Sequence, residues 1–164
     1  NRAFLNLAKV SYALNGFPVR RSDFRARDFF EEVARLKGKG KGDLFDCAFV
    51  DPPYFSDGPK GRVDLEHGAH RILNKVRPLV GHEGRLVAVN NALFVSGAEY
   101  MGLLEKMCAD GYLSIEALVP VPEDFTGYPG TRRGTAPPVD PAPFNHPTKI
   151  AILRVRRKDG RRAT

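Results

Sequence analysis

The stretch Phe45-Asp46-Cys47-Ala48-Phe49-Val50-Asp51-Pro52-Pro53-Tyr54 decides how this chain folds. Its first six residues make a largely apolar run of strand length, too short for a helix. The run stops at an acid followed by two prolines. These remove two backbone donors and hold the preceding residue extended, so the strand ends there. Asp51 and the ring of Tyr54 are then fixed at the strand's carboxyl end, which is where ligands bind in an open α/β sheet. The competing reading is a rigid turn with a core tyrosine.

Upstream, Phe4, Leu7, Ala8, Ser11 and Leu14 share one face of a helix over residues 2–14, with Gly16 placed to end it. Residues 17–21 read as a short strand ending at Ser22-Asp23, and Asp28 with Glu31 as a capping pair for a helix running to about Leu36. Alternating Lys and Gly over 37–42 make a basic loop. Downstream, residues 56–62 read as a loop. Ala69, Ile72, Leu73 and Val76 then recur at helical spacing until Pro78. Residues 84–89 form a buried strand ending in Asn90-Asn91. Ser96-Gly97-Ala98-Glu99 is a capping box for a helix with the stripe Tyr100, Leu103, Leu104, Met107 and Cys108. Strands over 113–121 and 149–156 flank a Pro- and Gly-rich segment, 122–147. Alternating strands and helices predict an α/β fold: a doubly wound, mostly parallel sheet with helices on both faces and a closing antiparallel hairpin.

The 164 residues suit one domain, expected over 1–157 and followed by a disordered basic tail over 158–164. No apolar stretch reaches membrane-spanning length, and the first residues show no signal peptide, so no membrane partner is expected. Lys and Arg outnumber Asp and Glu 26 to 19, a net charge of +7 that favours a polyanion such as RNA. Part of that excess lies in residues 154–162, where a solvated basic end explains it equally well. Cys47 in the strand and Cys108 on a helix stripe read as core thiols of a reducing, cytoplasmic setting. His67, His70, His82 and His146 lack metal-ligand spacing, and no metal is expected.

Asp51-Pro52-Pro53-Tyr54-Phe55-Ser56, placed after a buried strand, resembles the signature of class I S-adenosylmethionine-dependent methyltransferases. Within them it is similar to the bacterial 23S ribosomal RNA large-subunit enzymes that act on cytosine C5 or guanine N7. Asn90-Asn91 followed by Phe94 resembles the paired asparagine that some of these carry after the next strand. The likeness runs from about Arg2 to Ala109 and is looser across the last two strands. It implies S-adenosylmethionine as cofactor. It also implies catalytic roles for Asp51 and Pro52, whose carboxylate and carbonyl accept hydrogen bonds from an amine or ring N–H and aim its lone pair. Tyr54 would stack on the base. Asp23 matches the acid that meets the adenine amino group, with Phe24 beside the ring and Asp51 bordering the cofactor. Tyr54, Phe55, Asn90 and Asn91 would line the acceptor pocket, with Asp51 and Asn90 facing one cleft. For Asp23, Asn90 and Asn91 a plain turn or cap role stays open, and for Phe24 a core role.

The Gly-rich turn and the acid-ended second strand of that family have no counterpart in this sequence. The expectation is therefore the carboxyl-terminal part of a longer methyltransferase, binding the cofactor poorly by itself. Methylation at cytosine C5 needs a thiolate near the base, and neither cysteine follows the motif or Asn90-Asn91, which leaves a nucleobase nitrogen preferred. The segment 122–147 carries Phe125, Tyr128, Arg132, Arg133, Phe144 and Asn145, a mixture suited to single-stranded RNA. Arg132 and Arg133 are its expected substrate contacts; a disordered hairpin tip is the alternative. Two further readings stay open: methylation of a protein side-chain amide or small molecule, and a non-catalytic RNA-binding domain. The target base and the oligomeric state are not readable.

Overall fold

A computed structural model describes residues 2–38, 44–126 and 139–163. In chain order the elements are α1 (Arg2–Leu14), α2 (Phe29–Gly38), β1 (Phe45–Val50), β2 (Phe55–Gly58), β3 (Gly61–Asp64), α3 (Ala69–Val76), β4 (Val80–Asn90), α4 (Gly97–Cys108), β5 (Leu113–Val119), α5 (Glu123–Thr126) and β6 (Lys149–Val155). Four strands form a sheet in the order β1-β4-β6-β5. β1 and β4 run parallel, whereas β6 is antiparallel to both its neighbours, β4 and β5. The closing pair is antiparallel as expected, with β6 inserted inside the sheet and β5 at its edge. With one parallel pair among the described residues, the sheet is mixed.

The core forms on one face of that sheet. Along β6, Lys149, Ala151, Leu153 and Val155 are buried while the residues between them are not. Ala69, Ile72, Leu73 and Val76 of α3 and Tyr100 and Leu104 of α4 pack with Leu86, Ala88 and Leu153 in a single cluster. Burying a side chain such as Ile72 or Leu73 stabilises by about 1.5–3 kcal/mol each. α4 begins with the capping box at Ser96 and Glu99, both halves of it formed. On the other face, Phe49 pairs in register with Val87 and stays 78% exposed. There Glu116 accepts from Arg85 at 3.0 Å and Arg154 at 3.1 Å, and those guanidinium groups hold its carboxyl below the usual range. The register shift between Phe45 and Cys47 accommodates extra residues of β4. It requires Gly84, since a Cβ there would come within 2.8 Å of the Asp46 carbonyl oxygen.

Several expectations are corrected. Residues 17–20 form no strand, although Arg20 is extended, and a 3-10 turn follows at Arg21–Asp23. α1 forms where its periodicity says, yet it has no buried residue, and Phe4 and Leu14 are 72% and 82% exposed. The expected loop at 56–62 is the β2–β3 hairpin, turning through Pro59-Lys60. Cys47 is exposed rather than core, because it sits on the open sheet face. The expected disordered tail folds back through residue 163. Arg157 donates to the Pro78 carbonyl at 2.8 Å, and the Arg161 carbonyl accepts from His82 N–H at 2.6 Å. Among the described residues no helix is long and apolar enough to cross a membrane.

Candidate active site

Because β1 and β4 are parallel with Val50 opposite Ala88, the chain leaves both strands at the same end of the sheet. Asp51 follows β1 there and borders a cleft of about 600 Å3, walled also by Asp28, Phe29, Phe30, Pro52 and Pro53. Asp51 is exposed, and no described hydrogen bond or ion pair engages its carboxylate. Pro52 presents its carbonyl to the neighbouring turn, where Asn91 Nδ2 donates to it at 3.4 Å. The other amide atom, Asn91 Oδ1, is buried without a partner among the described residues. An orphaned acceptor of this kind costs about 1–3 kcal/mol until a donor reaches it.

Asn90 sits differently. It is 1% exposed; its Nδ2 donates to the Leu65 carbonyl at 3.3 Å and its Oδ1 accepts from Ala92 N–H at 2.8 Å. The side chain ties two turns together and does not border the Asp51 cleft. The shared strand end is as expected, the shared cleft is not. Tyr54 donates its hydroxyl to Glu66 Oε2 at 2.6 Å, and that bond pushes the phenol's pKa up. Tyr54 is not among the residues that wall the Asp51 cleft. Phe55 is exposed, with the Arg62 guanidinium 5.5 Å above its ring.

Asp23 and Phe24 are not at the cleft. Asp23 accepts from the Ser22 hydroxyl at 2.9 Å, and Phe24 packs edge-on against Tyr12 of α1 at 5.2 Å. Without a strand over 17–21, nothing carries them to the sheet end. Asp28 and Phe29 occupy the cleft wall instead. Asp28 Oδ1 accepts from the N–H groups of Phe30 at 2.9 Å and Glu31 at 3.1 Å, capping α2 and fixing the carboxylate at the cleft. The cap was readable in the sequence; the place of its carboxylate on the cleft wall was not, because a capping acid explains itself.

A further residue escaped sequence reading altogether. Lys149 is 0% exposed and opposite Asn90 in register. Its Nζ donates to the Ala92 carbonyl at 2.9 Å and the Pro147 carbonyl at 2.5 Å. Burial pushes its pKa down to about 8, against the opposing pull of the Glu99 charge. A lysine opening an apolar strand gives no signal that its ammonium is buried. From the long segment, Phe144 is buried against Tyr100 at 5.7 Å, and Asn145 pairs with both backbone groups of Val121, so neither is free for RNA. Tyr128, Arg132 and Arg133 lie outside the described residues. His67 precedes α3 and faces Asp64 at 3.3 Å. No group of three His, Cys, Asp or Glu among the described residues could hold a metal ion.

No family model matches the chain. In sequence it is similar to ribosomal RNA large subunit methyltransferase K/L of a Psychrobacter species, 32% identical over 92 residues, 54% of this chain and 11% of the relative. It is also similar to ribosomal RNA large subunit methyltransferase I of Photobacterium profundum, 26% identical over 121 residues, 74% of this chain and 29% of the relative. The matched part is thus less than a third of either relative's length. Among solved structures it superposes on a protein assigned as a methyltransferase and crystallised with SAH, with a TM-score of 0.60 and 16% identity. The match covers 79% of this chain and 30% of that one. A protein from Streptococcus mutans assigned as a SAM-dependent methyltransferase superposes over the same shares, with a TM-score of 0.57 and 16% identity. The fold is that of the class I S-adenosylmethionine-dependent methyltransferases. Its resemblance to the ribosomal RNA large-subunit enzymes, first carried by Asp51–Ser56 and Asn90-Asn91, extends over half the chain or more.

Proposed function

We propose that this protein transfers a methyl group from S-adenosylmethionine to a nucleobase nitrogen in ribosomal RNA. The observation that carries the reading is the unengaged Asp51 carboxylate at the mouth of a cleft, beside a Pro52 carbonyl held only by a long bond from Asn91. The likeness to ribosomal RNA large-subunit methyltransferases supports the substrate class. Of the cofactor, the cleft would take the adenine, where Asp28 and Phe29 stand in the places expected of Asp23 and Phe24, with Asp51 toward the acceptor. When bound, S-adenosylmethionine supplies a methyl group on a positively charged sulfur.

The chain's own residues position the acceptor. Asp51 takes a hydrogen bond from an N–H of the base and turns the nitrogen lone pair toward the cofactor, so that orientation supplies most of the rate. The Pro52 carbonyl is the second acceptor. At 3.4 Å its bond to Asn91 is long enough for an incoming N–H to replace. Asn91 Oδ1 can then take a donor of its own. The thiols do not suit carbon chemistry. Cys47 is on the open sheet face, and burial pushes the Cys108 thiol's pKa up.

The test is transfer of labelled methyl groups from S-adenosylmethionine to large-subunit ribosomal RNA by the intact protein, followed by digestion to nucleosides. Label in an N-methylated nucleoside is the expected result. Label in 5-methylcytidine, or only in protein, would remove the nitrogen acceptor or the RNA.

A further inference from the structure

A second recess, of about 350 Å3, lies between the β2–β3 hairpin and α3. Its rim carries Lys60, Arg62, His67, Arg71 and Lys75, against the single carboxylate of Asp64. That carboxylate is occupied: it accepts from the backbone N–H groups of Glu66 and His67, both at 3.0 Å, and faces the His67 ring at 3.3 Å. Lys60 has only a 3.9 Å approach to Glu31, and Arg62 reaches Asp57 at 3.2 Å on the exposed hairpin. Among the described residues no carboxylate lies within ion-pair distance of Arg71 or Lys75. Lys75 lies 5.4 Å over the Phe30 ring, a contact that leaves its charge uncompensated. Lys37, in the last turn of α2, is close enough for the Lys75 charge to add to burial in lowering its pKa. Like charges gathered from three elements repel one another and favour a polyanion that neutralises them.

The position of this recess says which polyanion. Phe30 and Gly61 line both it and the Asp51 cleft, so one wall separates the two. That wall depends on glycine. Gly61 has φ +154°, and a Cβ there would stand 2.7 Å from the Phe30 ring. The hairpin can therefore close against α2 only with glycine at this point, and closing it brings Lys60 and Arg62 up to Arg71 and Lys75.

We infer that this basic recess binds the phosphodiester backbone of the RNA strand whose base enters the Asp51 cleft. The inference rests on the RNA reading of that cleft and adds a docking site separate from it. Phosphate contacts of this kind fix register without reading sequence. Arg71 and Lys75 are its best probes, since both are exposed and neither has a carboxylate partner to lose.

The experiment measures binding of a fluorescent single-stranded oligonucleotide from the ribosomal RNA substrate to the intact protein across a salt series. The variants are R71A/K75A and the charge-keeping R71K/K75R. Loss of two phosphate contacts on a single strand lowers the slope of log affinity against log salt by about 1.4 units. We expect that drop, with affinity down about ten-fold at 0.1 M salt, for R71A/K75A. R71K/K75R should bind close to the parent, and the thermal midpoint and cofactor affinity should not move. A folded R71A/K75A protein with the parent's affinity and slope overturns the inference. So does R71K/K75R falling as far as R71A/K75A, which would make the effect one of packing. The two readings separate cleanly. RNA binding that depends on Arg71 and Lys75 without any methyl transfer defeats the enzyme and leaves the docking site standing; methyl transfer with wild-type binding by R71A/K75A does the reverse.

Discussion

The turn that leaves β1 and the turn that leaves β4 stand side by side at one end of the sheet, and they spend their polar groups in opposite ways. After β1, Asp51 keeps its carboxylate unengaged at a cleft. After β4, Asn90 is buried and uses both its amide atoms inside the protein, and Lys149 below it ties the same turn to the start of β6. A group left unsatisfied at the surface of a cleft is available for chemistry. A group satisfied in the interior holds the frame. Asn91 lies between the two, with one amide atom on Pro52 and the other buried without a partner among the described residues.

The sharpest way to break this contrast is Asn90→Ala. It would leave the Leu65 carbonyl and the Ala92 N–H unpaired in the interior, a loss of about 2 kcal/mol in urea unfolding. A loss below about 0.5 kcal/mol would mean that Asn90 frames nothing. Asp28→Ala comes next, removing the α2 cap at about 1 kcal/mol. It should also weaken cofactor binding by the intact protein, whereas Asp23→Ala should leave that binding as it was. Equal effects in calorimetry would return the adenine contact to Asp23.

A further test is one of pH. The pKa of Lys149 in the folded protein, about 8, lies below the ordinary value of ~10.4. Between those limits the unfolded chain holds a proton that the native one has released, so native stability rises with pH through that window. Below pH 8 both states are protonated and the burial penalty is present in full. Lys149→Met removes the titration. The parent's stability relative to Lys149→Met should therefore climb from about pH 8 to about pH 10.4 and level off. A flat difference would place the ammonium in contact with solvent.

Local signals were read well and long-range ones less so. The prolines after Asp51 end β1, and the Ser96–Glu99 box opens α4, because each acts within a few residues. The apolar stripe of α1 placed a helix but said nothing of whether a surface waits for it, and none of its residues is buried. α3 has a shorter stripe with the sheet beneath it, and its apolar residues are all in the core. Gly58-Pro59-Lys60-Gly61 looked like loop punctuation; it is the turn of a hairpin, recognisable only once Phe55 and Asp64 are paired. At the site, Asp51 could be found because the two prolines that end β1 also fix its carboxylate at the cleft. Asp28 was hidden behind its own helix cap, and Lys149 behind the strand it opens.

The most direct measurement is Asp51→Ala in the intact protein, followed by methyl transfer to ribosomal RNA and by calorimetry with the cofactor. If the unengaged carboxylate orients the acceptor, transfer is abolished while cofactor affinity stays within a few-fold, since the lost interaction belongs to the transition state. A folded Asp51→Ala protein that no longer binds cofactor would make Asp51 a cofactor ligand. One that still transfers methyl groups at the parent's rate would take the chemistry away from this turn.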